Sequence, residues 1–442
     1  MGASTFVPLV FSIGYCLNGS MLQEYKHNHY VPEWYQKRFL PVGQSQHFYL
    51  DLQPEKIVQN GHSHTRNELL RWGPKKCFAK DDLYTTRWGS IENRDIEKNF
   101  FDGVDRDGKA AVEHFSNWKF DGESAEALQS LLPYMSVQKL RTPKGLGWLR
   151  RRFRNLDHNE TLIFLQEIQN IYCTIWSECV WQIADASNSN TKFIISDHPV
   201  VVYNRECFPG STYCKGNDDP DIRNAATHTY FPLSPDKVLI FTNLSWVRDP
   251  FQNPLKLRPN PNFMRQPAMF SFLDIQVDRF LSEEEVIEIN YVTKKRANRY
   301  VAAAKAEWLY PELHLRTSNW RKLGDGYLFM PDPRHVHGEG KFFVKYESGR
   351  RDSSSEYGHK PWQEGYEDKI RQDHEWKTME KFKAEWSATY GAKYRGVIND
   401  LISNNRPRLY HMDDEYHAKE CLRDRDFLKL PGERSRRRVL KR

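Results

Sequence analysis

The sequence lacks most of the features that announce a familiar chemistry. Its seven cysteines, Cys16, Cys77, Cys173, Cys179, Cys207, Cys214 and Cys421, form no C-x-x-C pair. Their odd number argues against a complete disulfide framework, so a reducing compartment, the cytoplasm, is expected. Long apolar runs are missing too. Phe6 to Ile13 is apolar for only eight residues and no Lys or Arg precedes it, which excludes a membrane span and argues against a secretion signal. No phosphate-binding P-loop, dinucleotide fingerprint, nucleophile elbow or H-E-x-x-H pair occurs, so the reactions those motifs serve have no support. A calcium loop centred on Gly108 also fails, because Gly103 and His114 stand where its first and twelfth ligands belong.

What is present is a globular composition in a chain of 442 residues, with 39% hydrophobic, 14% aromatic and 28% charged residues. The net charge of +7 suggests a polyanion binder, yet it is unevenly placed. Residues 401–442 hold 12 Lys+Arg against 7 Asp+Glu and carry +5 of it, leaving +2 for the rest. Within that nearly neutral body one stretch, Lys139 to Arg154, holds seven cations and no acid. The tail from Gly432 (GERSRRRVLKR) reads as solvated, with nuclear import as a second reading.

Local patterns outline an α+β chain. A helix start is expected at Pro32 and a strand at 47–52, with 53–90 irregular. Helices follow from Ser90 towards Phe115, from Glu123 to Leu140 with a kink at Pro133, and from about Asp157 to Cys179. Short β-branched runs at 192–196, 200–204 and 237–243 predict strands, and 205–229 predicts a long exposed loop. Ser282 opens a capping box for a closing helix reaching about Trp308. The expected fold is a mainly helical domain with a small β-sheet, plus a charged C-terminal extension. Its expected boundaries are 1–26 outside the fold, with Met21 an alternative start, 27–310 as the domain, 311–431 partly helical and 432–442 a basic tail.

Several fragments in order, HYVP from His29, VQKLRTP from Val137, FIISDHPVVVYN from Phe193, FPLSP from Phe231 and Asn290 in the closing helix, resemble the domain of unknown function family 4238 over about residues 27–310. The chain departs from the family pattern at Val104-Asp105, where a glutamate-bearing helix is usual, and nothing in the family corresponds to 320–442. The resemblance implies a fold domain and no established reaction.

The candidate site therefore comes from the residues themselves: His29, Arg141, Ser196, Asp197, His198 and Asn290, with Glu97 nearby. Asp197 ends an apolar strand, where an exposed carboxylate serves as base or metal ligand, and His29 is its complementary acid, base or ligand. Arg141 is expected to stabilise phosphate charge and Asn290 to orient the site. Ser-Asp-His-Pro is equally a good turn sequence, in which Asp197 bonds backbone. H-x-H occurs at His27/His29, His62/His64 and His335/His337, which nominates His27, His29 and Asp197 for a divalent ion. Arg150, Arg151, Arg152 and Trp148 form the candidate contact to RNA or DNA within 139–154. Two functions remain: a nuclease-like phosphodiester hydrolase, or a non-catalytic nucleic-acid or protein-binding module whose polar residues are structural.

Overall fold

The structure, a computed structural model, describes residues 26–59, 62–119, 121, 123–153, 156–258, 275–336, 341–345, 351–355 and 358–398. The N-terminal segment with Met21, the basic tail, Arg154 and His337 lie outside them, as do the side chains of His62 and His64.

Six helices of ten or more residues are described: α1 (Asp102–Ser116), α2 (Ser124–Leu140), α3 (Pro143–Arg152), α4 (His158–Glu167), α5 (Glu283–Arg296) and α6 (Lys369–Tyr390). The ten strands of the two larger sheets are β1 (His47–Asp51), β2 (Leu69–Trp72), β3 (Cys179–Asp185), β4 (Ile195–Ser196), β5 (Val201–Asn204), β6 (Thr227–Pro232), β7 (Lys237–Asn243), β8 (Gln276–Phe280), β9 (Tyr300–Ala303) and β10 (Val397–Ile398). Six of them form one sheet in the order β5-β6-β7-β3-β8-β10, and four form another in the order β4-β9-β1-β2. All pairings are antiparallel except β8 against β3.

The expectation of a mainly helical domain with a small sheet is thus corrected: the molecule is α+β with several sheets, including four two-stranded ribbons. Tertiary pairing overrode helical periodicity at two places. The helix expected to reach Cys179 ends at Glu167, and Cys179 to Asp185 instead pairs residue for residue with β7, from Cys179 opposite Asn243 to Asp185 opposite Lys237. Val180, Trp181 and Ile183 suit a pleated surface as well as a helix face, and the long partner strand decides between them. The closing helix stops at Arg296 rather than Trp308 because Asp197 accepts the next free N–H groups and turns the chain into β9. The segment 53–90 is not irregular but carries β2 and several short strands.

The charged C-terminal stretch is likewise built into the body. Trp320, Leu323, Leu328 and Phe329 join the main core, and Met379, Phe382 and Trp386 of α6 pack with Trp246, Val247 and Met330 in a second cluster. Pro133 sits inside the continuous helix α2. Capping boxes start α4 at Asp157 and α5 at Ser282.

The junction between α2 and α3 is only two residues long. Thr142 caps α3, accepting the Gly145 N–H at 3.1 Å, with Pro143 in the first turn. A Cβ on Gly145 would stand 2.2 Å from the Lys139 carbonyl oxygen, so only glycine permits this approach. The tight turn brings Lys139 and Lys144 to one point. Gly145 and Gly147 both belong to α3.

Candidate functional site

The five motif segments do meet in space. Gln138 donates to the Tyr30 carbonyl at 2.8 Å, the Phe193 N–H donates to the Pro235 carbonyl at 3.0 Å, and His198 lies against Thr142 at 2.7 Å. The side chains of His29, Arg141, Asp197 and Asn290, however, turn into separate networks rather than one cleft.

Asp197 is buried and accepts three backbone N–H groups, from Asn298 at 2.7 Å, Arg299 at 2.7 Å and Tyr300 at 3.0 Å. Burial pushes its carboxyl up to about 6, against the pull of those donors. Ser196, in β4, accepts the His198 N–H. Asn290 is a clamp: its side-chain oxygen accepts from Ile194 N–H at 3.1 Å and its amide donates to the Lys192 carbonyl at 2.9 Å, tying the strand before Asp197 to α5. Arg141 forks onto Asp105 at 2.7 and 3.0 Å and donates to Gln138, so its charge is already matched. Glu97 lies beside this pair and burial raises its carboxyl to about 8.

His29 faces the Lys75 carbonyl at 3.2 Å and Glu33 at 3.8 Å, and desolvation lowers its pKa. His27 meets Asp81 at 2.7 Å and the same carbonyl at 3.1 Å. The metal set of His27, His29 and Asp197 is therefore not assembled, because Asp197 is spent on the turn before β9. Among the described residues no group of three or more His, Cys, Asp or Glu is placed to hold a metal ion.

What the geometry assembles instead lies on the far side of the same segments. A cleft of about 310 Å³ opens between α2–α3 and the loop after β5, lined by Lys139, Lys144, Trp148, Arg152, Tyr172 and His198 and, from the loop, by Tyr213, Lys215, Asp219 and Arg223. Asp219 is its keystone. The carboxylate binds Lys139, Lys144 at 2.6 Å and His198 Nε2 at 3.0 Å. Lys144 also donates to the Arg296 carbonyl at 2.7 Å, and Lys139 to the Val200 carbonyl at 3.3 Å. The two lysines hold the Asp219 carboxyl well below the usual range despite its burial. Desolvation lowers the Lys139 amine, and it drives His198 down to about 3, with the neighbouring Lys139 charge adding to the effect. His198 is therefore a neutral imidazole at physiological pH.

The three arginines of α3 diverge. Arg150 turns to Thr161 and His158 at 3.3 and 3.0 Å, Arg151 pairs with Asp218, and Arg152 alone lines the cleft. Asp221 is taken by Arg223. Arg152 and Lys215 are exposed and have no ion-pair partner among the described residues. Trp148 is half-buried against Tyr172 and Phe153, and Tyr213, which the loop contributes to the lining, is 57% exposed.

Asp219, Tyr172, Tyr213 and Lys215 were not nominated by sequence. One signal was available: Asn217-Asp218-Asp219-Pro220 concentrates acid within a loop, and the acid-free stretch at 139–154 needs a buried counter-charge if any of its lysines is to be covered.

Among the described residues no helix is long and apolar enough to cross a membrane. No curated protein and no solved structure matches this chain. The model of the family described as "Protein of unknown function (DUF4238)" matches residues 27–307, more than half of the sequence, and the motif segments that converge between β4, α2 and α5 lie within it: the chain belongs to the DUF4238 family.

Proposed function

We propose that the cleft under α3 binds single-stranded nucleic acid, with one nucleotide seated between Trp148 and Tyr213 and its phosphates against Arg152 and Lys215. The observation that carries this reading is the pair of unmatched, exposed cations at the rim of an aromatic-walled cleft whose floor charges are otherwise neutralised. Its volume, about 310 Å³, suits a single small ligand unit. The reading is narrower than the sequence-based one, since Arg150 and Arg151 face elsewhere.

Fluorescence anisotropy with a labelled oligothymidylate and a duplex of equal length tests it. Salt-dependent binding of the single strand is expected, weakened about tenfold by Lys215→Glu or Arg152→Glu. No binding at low salt, or binding by both variants equal to that of the wild type, would overturn it.

A hydrolytic reading of the same cleft has one observation in its favour: its floor presents Lys139, His198 and Asp219, groups that exchange protons, side by side. In that reading the nuclease works with His198 and Lys139 rather than with His29, Arg141, Asp197 and Asn290. Incubating the same oligonucleotides with and without Mg²⁺ decides it, because an uncut strand under both conditions leaves binding alone.

A further inference from the structure

The loop that walls the cleft contains two buried cysteines whose surroundings differ from those of every other described cysteine. Cys207 and Cys214 are both free and both fully buried, and their thiols are neighbours that influence each other's ionisation. Cys214 Sγ also lies 3.5 Å from the Cys207 carbonyl oxygen. Arg296, itself 1% exposed at the end of α5, points its Nη1 at Cys214 Sγ at 3.5 Å and is held there by bonds to the Cys207 and Asp218 carbonyls. A fixed guanidinium beside a thiol favours the thiolate. Cys77, Cys173 and Cys179 have neither a second cysteine nor such a bond, and burial pushes the thiol of each up to about 12.

Both cysteines sit next to exposed residues of the loop. Phe208 beside Cys207, and Tyr213 and Lys215 beside Cys214, are all exposed, so a small oxidant needs only a local opening of the loop.

We propose that Cys207 and Cys214 are a thiol–disulfide site: a small-molecule disulfide of the glutathione class oxidises them to an intramolecular disulfide, with Cys214 as the attacking thiolate held by Arg296. The Cys214 sulfur attacks one sulfur of the oxidant, forming a mixed disulfide and releasing one glutathione thiolate. Cys207 then passes its proton to that thiolate and attacks the Cys214 sulfur, expelling the second glutathione. Two protein thiols are oxidised and one disulfide is reduced to two thiols. The product closes a short ring in the loop between β5 and β6.

The test uses the full-length protein and reads chemistry, not ligand binding, so it stands or falls apart from the nucleic-acid reading. Trypsin cuts after Arg205 and Lys215 and releases both cysteines in one peptide, Glu206 to Lys215. After mild oxidised glutathione and alkylation of remaining thiols, that peptide should lack two hydrogens and carry no alkyl group, while Cys77, Cys173 and Cys179 are alkylated. Cys207→Ser should instead trap one glutathione on Cys214, and Cys214→Ser should leave Cys207 unmodified. A fully alkylated peptide in the folded wild type, or oxidation at Cys77, Cys173 or Cys179 first, would overturn the proposal. Glutathione trapped on Cys207 in the Cys214→Ser protein would overturn the assignment of the attacking sulfur.

Discussion

Asp197 and Asp219 lie 22 residues apart, the first buried and the second largely so with its side chain 11% exposed, and they teach opposite lessons. Asp197 faces three peptide N–H groups and forms no ion pair among the described residues, and burial raises its carboxyl to about 6. Asp219 faces two ammonium groups and a neutral imidazole, and its carboxyl is depressed. Here the three peptide dipoles offset the burial of Asp197 only in part, whereas two adjacent full charges outweigh that of Asp219. The first carboxylate is accordingly a chain-turning device at the start of β9, and the second organises the floor of an open cleft. A carboxylate in a strand-end turn motif is thus no guide by itself to where chemistry lies.

The comparison can be broken by mutation. The largest expected effect is from Asp219→Ala, which strands Lys139 and Lys144 in a buried site and should cost about 3–5 kcal/mol in urea unfolding. A loss under about 1 kcal/mol would show that the two lysines reach water. Asp197→Ala leaves three N–H groups without an acceptor and should cost about 2–3 kcal/mol, with oligonucleotide affinity of the folded fraction unchanged. A selective loss of affinity there would return Asp197 to the site.

Acidification separates the two networks by sign. His198, neutral in the fold at about 3 against 6.5 unfolded, contributes stability that is lost as pH falls below 6.5. The stability difference between wild type and His198→Asn should therefore shrink by about 1.4 kcal/mol per unit between about pH 6 and 4. Asp197, raised from 3.8 to about 6, binds its proton more tightly in the fold, so its contribution grows as pH falls over that window. The difference between wild type and Asp197→Asn should then widen on acidification, and parallel curves for both variants would contradict the assignment. The smallest stability effect belongs to Lys215→Glu, within about 0.5 kcal/mol, although its affinity loss is expected to be about tenfold.

Much of the scaffold was legible in the residues. Ser282 with Glu285 capped α5, the β-branched runs at 201–204 and 237–243 became strands, and the order of the motif segments marked the family. Less of the site could be read. The basic stretch was visible as a concentration of charge, but its described cations divide among separate partners: Lys139 and Lys144 to Asp219, Arg141 to Asp105, Arg150 to α4, Arg151 to Asp218 and Arg152 to the open cleft. A helix rotates successive side chains by about 100°, so adjacency in sequence says little about shared direction.

By itself, then, the sequence determined where helices and strands can start and which stretch is free of acid, but not that Thr142, Pro143 and Gly145 make a two-residue junction between α2 and α3. Only the tertiary structure decided which acid answers that stretch, because Asp219 arrives from a loop 75 residues beyond Lys144. It also decided that Asp197 takes the N–H of Asn298, 101 residues away, just after α5 ends. Both are long-range partners of buried charge, whose energy depends on position in space and not on the local pattern that specifies a helix or a turn.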